Sequence, residues 1–330
     1  MEDNIVSEQF IVGIDLGGTK ISTALADRTG KIIAHDYRET RATEGPDAVI
    51  GRMLDAARRV IVQAKVKTTQ VAAVGIGAPG PLDIETGVVV SPPNLPGWER
   101  VFLKQLVEAE LGITTFLDND ANAAALGEHR FGAGRGTKHM IYVTASTGIG
   151  GGLILDGRLY HGSSGMAGEI GHITVAPYGP LCGCGNRGCL ESFASGTAIA
   201  REARERVARG VPTLIADLAG GDLERITAKL VAEAASQGDA EAQHILAEAM
   251  NALGIGMANL VNLFNPQLIV IGGGLTNIGK TLFEPVRRGI DRHAFSIPAQ
   301  AVRVVRAELG ENAGVLGAVA VALTQMQSET

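Results

Sequence analysis

A two-domain α/β protein is the architecture this sequence predicts, on three observations. The chain has 330 residues, against about 150 for one domain, and 45% of them are hydrophobic, enough for two buried cores. Strand-like and helix-like segments alternate along it. One plan occurs twice: a β-branched strand, a glycine-rich turn, two more strands in a meander, then helices. Two such halves are expected to face each other across a cleft, with both glycine turns pointing into it.

The first meander reads FIVGIDL (10–16), ISTALA (21–26) and KIIAHDY (31–37), turned at Gly17-Gly18 and at Asp27–Gly30. A helix over 46–65 places Met53, Leu54, Ala57, Val60 and Ile61 at helical spacing. VAAVGIG (71–77) is apolar throughout, as a strand covered on both faces must be. A helix over 99–111 and a short strand TTFLD (114–118) follow, then a helix over 123–130. The second meander is HMIYVTA (139–145), GGLILDG (151–157) and a continuation to Tyr160. Helices are expected over 196–209, 223–236 and 239–264, a strand QLIVIGG over 267–273 and a helix over 277–292. A strand VRVVRA (302–307) and a helix over 312–326 end the order. The boundary falls near Asp118–Asn122. The small domain is then 1–118, completed by the C-terminal helix (312–330), and the large domain is 119–311.

Composition removes several classes of function. Lys and Arg number 29 and Asp and Glu 35, a formal net charge of −6, which argues against a general nucleic-acid binder. No window approaches ~18 consecutive apolar residues, so no membrane span is expected. MEDNIVSEQF lacks the cationic and apolar regions of a secretory leader, and a cytoplasmic protein is expected. Glycines number 44 of 330, roughly twice the usual ~7%, and cluster between apolar runs, where backbone must approach something closely. All three cysteines lie between Cys182 and Cys189, an odd count packed too tightly for a disulfide framework.

The motifs carry the chemistry. In DLGGTK, Asp15 to Lys20, a tight glycine hairpin can turn successive N–H groups onto an anion. Thr19 adds a hydroxyl, Lys20 a charge, and Asp15 at the strand end could hold Mg²⁺ through water. STGIGGG, Ser146 to Gly152, sits at the matching place in the second meander. Either string alone is as good a reading for an ordinary turn, but two phosphate cradles at equivalent positions are a poor coincidence. In NDAN, Asn119 to Asn122, the acidic residues read locally as helix caps, whereas at the carboxyl end of a strand Asp120 would serve as a general base.

His172, Cys182, Cys184 and Cys189 supply one imidazole and three thiolates, a full tetrahedral set for zinc with no coordination position left for water. The segment 177–195 has few apolar anchors, and metal would have to order it. Glu169 and Glu191 bracket that loop, where each could accept two hydroxyl hydrogen bonds from a polyol. Two further strings are decoys. GIGAPG (75–80) has the dinucleotide-binding spacing, but Pro81 and a turn follow it instead of a helix. GLTNIGKT (274–281) satisfies the P-loop pattern, yet only 49 residues follow Thr281, too few for the strands such a fold needs. His244, Met250, Leu253 and Met257 read as core or edge residues of a long helix, and REARERVAR (201–209) as a solvated face.

DLGGTK, NDAN, STGIGGG, GEIGH and CGCGNRGCLE, in that order, resemble the ROK family of bacterial sugar kinases and repressors, its glucokinases above all, over nearly the whole chain. The resemblance implies the actin/hexokinase-like (ribonuclease H-like) α/β fold and ATP-dependent phosphorylation of a hexose. Glucose is favoured, with N-acetylmannosamine or another hexose the alternative. It implies Asp120 as catalytic base, Asn119 as its neighbouring sugar ligand, and Glu169, His172 and Glu191 as holders of sugar hydroxyls. His172 would also serve zinc with Cys182, Cys184 and Cys189. Asp15, Gly17, Gly18, Thr19 and Lys20 match one ATP phosphate loop and Thr147, Gly148, Gly150 and Gly151 the other. Gly273, within GGG (272–274), matches the segment near adenosine, which accounts for the P-loop lookalike. GAPGP (77–81) and Asn94 fall on the sugar side; Ser146 departs from the glycine that glucokinases often carry there.

ATP with Mg²⁺, one structural Zn²⁺ and a homo-oligomer, dimer or tetramer, are expected. A sugar-responsive repressor is the reading from another class. The 14 residues before Asp15 are too few for its ~60-residue DNA-binding domain. A non-catalytic sugar sensor is disfavoured by Asp120. The sugar, and whether polyphosphate replaces ATP, stay open.

Overall fold

The structure is a computed structural model that describes residues 9–328. The leader reading of the N-terminus therefore rests on residues of which 1–8 lie outside the described ones, as do 329 and 330 at the other end. The chain forms two compact units. One holds the residues up to 136, 152–167 and those from 307 onward; the other holds 137–151 and 168–306.

In chain order the elements begin with β1 (Phe10–Leu16), β2 (Lys20–Ala26), β3 (Ile32–Glu39), α1 (Pro46–Gln63) and β4 (Val71–Ala78). Next come β5 (Leu82–Asp83), β6 (Val88–Val89), α2 (Leu103–Leu111), β7 (Thr115–Asn119) and α3 (Asp120–Phe131). The first sheet runs β3-β2-β1-β4-β7, with β1 antiparallel to β2 and parallel to β4, and β4 parallel to β7. The second meander is β8 (Met140–Ala145), β9 (Ile149–Leu155) and β10 (Arg158–Leu159). Helices α4 (Glu191–Ala194), α5 (Gly196–Ala208), α6 (Leu214–Leu218), α7 (Ala228–Ser236) and α8 (Ala240–Phe264) follow. The chain then runs through β11 (Leu268–Gly272), α9 (Lys280–His293), α10 (Ser296–Ala301), β12 (Arg303–Arg306) and α11 (Ala313–Ser328). Its sheet is ordered β10-β9-β8-β11-β12, with β11 parallel to both β8 and β12. Each sheet therefore has a meander whose first strand pairs with a later parallel strand, the recurrence expected from the sequence.

Alternation within the strands decides which helices cover them. On β1, Val12, Ile14 and Leu16 enter one core with Met53 and Val60 of α1, Val107 of α2 and the buried Trp98. The other face is closed by α11, whose approach is unusually near. A Cβ on Gly75 would lie 1.9 Å from the Ala318 carbonyl oxygen, and one on Gly13 2.4 Å from that of Val315. Glycine there lets a helix lie on the strand backbone itself, one physical cause of the high glycine content. Among the described residues no helix is long and apolar enough to cross a membrane.

Several boundaries differ from the sequence expectation, each for a local reason. The helix expected from 99 starts at Leu103, because Val101 pairs with Val89 and Arg100 adopts φ 51°. The helix expected from 223 starts at Ala228, capped by the Thr227 hydroxyl, which accepts from the Leu230 N–H. The one expected from 277 is broken at Gly279, φ 58°, so that a 3-10 turn (Gly274–Ile278) precedes α9.

Glu128 on α3 is fully buried and accepts from three backbone donors: Ala133 at 2.9 Å, Glu308 at 3.1 Å and Leu309 at 2.8 Å. It thus ties the segment after α3 to the one before α11. Glu128→Ala removes the acceptor of three part-buried backbone donors and should lower unfolding free energy by roughly 3 kcal/mol. A lowered urea midpoint is the check.

Candidate active site

The corner where β7 meets α3 concentrates polar side chains. Asn119 is the N-cap, and its Oδ1 accepts from the N–H groups of Ala121 (2.9 Å) and Asn122 (3.3 Å). Its amide nitrogen is left to face Gly80, where an added Cβ would lie 3.5 Å from Nδ2. Asp120 occupies the first helical position, with Oδ1 accepting from the Ala121 N–H at 2.8 Å. The cap reading of NDAN thus falls to Asn119, and Asp120 stands at the first helical position, at the carboxyl end of β7. Gly77 also abuts this corner, 3.7 Å from the Asp120 Cα by the same construction.

Asp118, one residue earlier, is buried and accepts from the Asn119 N–H (2.8 Å), the Asn122 side chain (3.0 Å) and His161 Nε2 (2.8 Å). Sequence reasoning missed His161. It stands 43 positions from its partner in a stretch without periodic signal, and only folding reveals the pair.

The first glycine turn is a closed hairpin. Gly17 donates to the Lys20 carbonyl at 2.9 Å, while the Thr40 hydroxyl donates to Gly17 O at 2.6 Å and the Thr40 N–H to Thr19 O at 2.8 Å. Gly18 lies against Asn94, whose Cβ would be 2.9 Å from an added Cβ, so the structure brings that predicted residue to this turn. Asp15, next to last in β1, packs on Gly314 in the first turn of α11. Burial raises its pKa, with the Lys20 charge opposing. A carboxylate so enclosed fits a cation partner better than solitude.

The second turn is strapped to the start of α5. Gly196 donates to Ser146 O at 2.7 Å and Thr197 to Thr147 O from both N–H (3.2 Å) and hydroxyl (2.9 Å). Ser146 and Thr147 stay exposed. Glu191 reaches the same turn: its Oε2 accepts from the Ile149 N–H at 2.8 Å and would meet a Cβ on Gly148 at 2.6 Å. Gly273, at φ 85°, sits on Ala145, where a Cβ would fall 2.4 Å from the carbonyl oxygen.

Beside this turn, wholly within the second unit, lies a cavity of about 1360 Å³. Ser146, Thr147 and Thr197 line one part and residues of α7 and α8 another, with Gly274, Leu275, Lys280 and Thr281 along the wall. The P-loop lookalike therefore lines a pocket without being a P-loop, its helix interrupted at Gly279.

His172, Cys182, Cys184 and Cys189 come together, their ligand atoms all within 4.8 Å of one another. Backbone bonds close the loop: Cys182 donates to Asn186 O at 2.8 Å, Gly188 to Pro180 O at 2.9 Å and Val175 to Gly188 O at 2.8 Å. Cys184 Sγ lies 3.7 Å from Cys189 Sγ, and Cys182 Sγ 3.7 Å from His172 Nδ1. A tetrahedron with ~2.3 Å metal–sulfur bonds places its sulfurs about 3.8 Å apart, so the donor set fits zinc. Burial, and then the neighbouring thiols, push Cys189 up to about 12. Three thiolates at this spacing repel unless a dication lies among them. With Nδ1 turned to the thiols, His172 directs Nε2 toward Glu169, 4.0 Å from its Oε2. Glu169 itself is exposed.

Comparisons with known proteins give these features a context. Residues 11–325 match the ROK family. The glucokinase of Thermotoga maritima is 40% identical over 94% of this chain and 96% of its own. A ROK family glucokinase from Streptomyces griseus, solved in complex with glucose and AMPPNP, superposes with a TM-score of 0.80 at 36% identity, covering 96% of this chain and 99% of that one. The xylose repressor of Caldicellulosiruptor bescii is 32% identical over 96% of this chain and 79% of its own.

Proposed function

This chain belongs to the ROK family, and from that premise we propose that it transfers the γ-phosphoryl group of ATP to the primary hydroxyl of glucose. The observation that carries the reading is the likeness, over nearly the full chain, to the Streptomyces griseus glucokinase holding glucose and AMPPNP. The geometry supports it. Asp120, presented at the start of α3, accepts the proton of the 6-hydroxyl as that oxygen bonds to the γ-phosphorus and the bond to ADP breaks. Asn119 donates to a sugar hydroxyl through the amide nitrogen that its cap leaves free. Glu169, His172 and Glu191 accept or donate to the remaining hydroxyls.

The backbone of Gly17–Lys20, with the Lys20 charge, and of Thr147–Gly152 receives the phosphates, and positioning with fixed charge supplies most of the rate. Gly273 and the cavity beside Thr147 take the adenosine. Asp15 is the residue that would hold Mg²⁺, and bound Mg²⁺ offsets phosphate charge. His172, Cys182, Cys184 and Cys189 would hold one structural zinc. A cytoplasmic homo-oligomer completes the proposal; none of the three cysteines is in a disulfide, which suits a reducing compartment.

A coupled ADP-release assay over a hexose panel tests this reading. Turnover should be highest with glucose, and N-acetylmannosamine is the rival to beat. No ADP release with any hexose would overturn it and leave a regulatory role, as in the repressor relative. Two variants then separate the phosphate loops from the lookalike. Lys280→Ala should change ATP use only a few-fold, because a true P-loop lysine bridges β- and γ-phosphates and this one only lines the pocket. Gly148→Val should nearly abolish activity, since its side chain would occupy the space of the Glu191 carboxylate. A dead Lys280→Ala enzyme that still folds would restore the P-loop reading.

A further inference from the structure

His161 has no role in the scheme above. It follows the β9–β10 hairpin, whose ladder Tyr160 extends by donating to Leu153 O at 2.8 Å. The loop after it closes on itself: Ala167 donates to His161 O at 3.0 Å, and Gly162 packs on Ala167. The imidazole is therefore held at the neck of a tied loop and not on a free one. Its Nε2 lies 2.8 Å from Asp118 Oδ2, and the carboxylate is 1% exposed against 33% for the ring.

Asp118 distributes this hold to the corner. Its other oxygen, Oδ1, accepts both the Asn119 N–H and the Asn122 side-chain amide. Those residues flank Asp120 in sequence, one fixing the peptide that enters the helix and the other the first turn. Asn122 turns its amide nitrogen to Asp118 and leaves its own Oδ1 buried with no donor among the described residues. A buried carboxylate and an unsatisfied amide oxygen are costly together, and stability alone would favour apolar packing here. The hydrogen bond to Asp118 also raises the His161 pKa, so the ring carries more positive charge near neutrality than an ordinary histidine.

We propose that His161 is a positioning residue for phosphoryl transfer: by anchoring Asp118 it fixes the β7–α3 corner that presents Asn119 and Asp120 to the sugar. The role rests on the sugar-kinase reading. Misplacement of a catalytic group by about 1 Å can cost on the order of 100-fold in rate, so losing the anchor has room to act on turnover. Substrate contacts made elsewhere are untouched.

The test compares wild-type protein with His161→Ala, His161→Gln and Asp118→Asn. His161→Ala should lower kcat about tenfold or more while the KM values for glucose and ATP stay within a few-fold. Gln places an amide nitrogen near the position of Nε2 and can donate to Asp118, so His161→Gln should recover most of the turnover. A general loss of fold would give neither the kcat-against-KM split nor the rescue. Independently of activity, NMR titration of the wild-type ring should place its pKa above the ordinary ~6.5, and Asp118→Asn should return it toward that value. His161→Ala with kcat within twofold of wild type overturns the role, as does Gln no better than Ala or a ring titrating normally. Wild-type protein inactive on every hexose overturns the kinase reading and this role with it, a result seen before any variant is made.

Discussion

Asp120→Asn should lower kcat for hexose phosphorylation by about 100-fold or more while sugar and ATP affinities stay within a few-fold. The variant isolates basicity from structure. Asn119, not Asp120, caps α3, and Asp120 Oδ1 accepts from the Ala121 N–H at 2.8 Å. An amide oxygen accepts that bond as well as a carboxylate oxygen does, so the helix start survives. What disappears is the proposed acceptor of the hydroxyl proton, and general-base catalysis typically contributes ~10²–10⁴ in rate. Phosphoryl transfer has a loose transition state in which the attacking oxygen keeps much of its proton, which places the expected loss toward the lower end. Initial rates with calorimetric binding of glucose and of AMPPNP give the two quantities separately. More than about a tenth of wild-type turnover would sink the base assignment; lost binding with kept turnover per bound substrate would make Asp120 a sugar ligand only.

Much of this structure is legible in the sequence because local signals and tertiary packing agree. β1, α1 and β4 show their periods plainly, and the two glycine turns fall where the meanders put them. Cys182, Cys184 and Cys189 announce a cluster by spacing alone, and His172 joins it within 4.8 Å. Other features carry no local mark. The Asp118–His161 pair is a long-range contact between residues that each look ordinary. Likewise α3 reads only as small residues, and the reason appears on folding: Gly127 faces Gly317 of α11, with an added Cβ 2.9 Å from its Cα. The cavity beside Thr147 is assembled from side chains on α5, α7, α8 and α9 that only folding brings together. The P-loop lookalike shows the reverse failure, in which a perfect string meets the wrong backbone at Gly279.

Removing zinc, or making Cys184→Ser, should raise the sugar KM and lower activity while most of the fold survives and ATP affinity changes little. The expectation follows from what holds the loop. Between Pro177 and Ser195 its order comes from turns, isolated bridges at Thr174–Cys189 and Leu181–Arg187, and the Cys/His cluster; Tyr178 and Leu181 point to solvent. Leu190 and Ala194 are fully buried, but from Pro177 to Arg187 apolar burial is slight, and there metal binding would supply the ordering free energy. Two proposed sugar ligands hang from this loop. His172 divides its ring between the thiols and Glu169, and Glu191 follows Cys189 by two residues at the start of α4. Loosening the loop therefore frees His172 and loosens the approach to Glu191, whereas the glycine turn keeps its bonds to α5 through Gly196 and Thr197. Cys184 is the informative ligand to change, because it is the exposed thiol of the three and its substitution empties no core position. Metal analysis of purified protein should find about one zinc per chain, the stoichiometry of a four-ligand site. Chelation should release it in step with the rise in sugar KM. Metal-free protein with unaltered sugar affinity would refute both the ligand set and its link to the substrate.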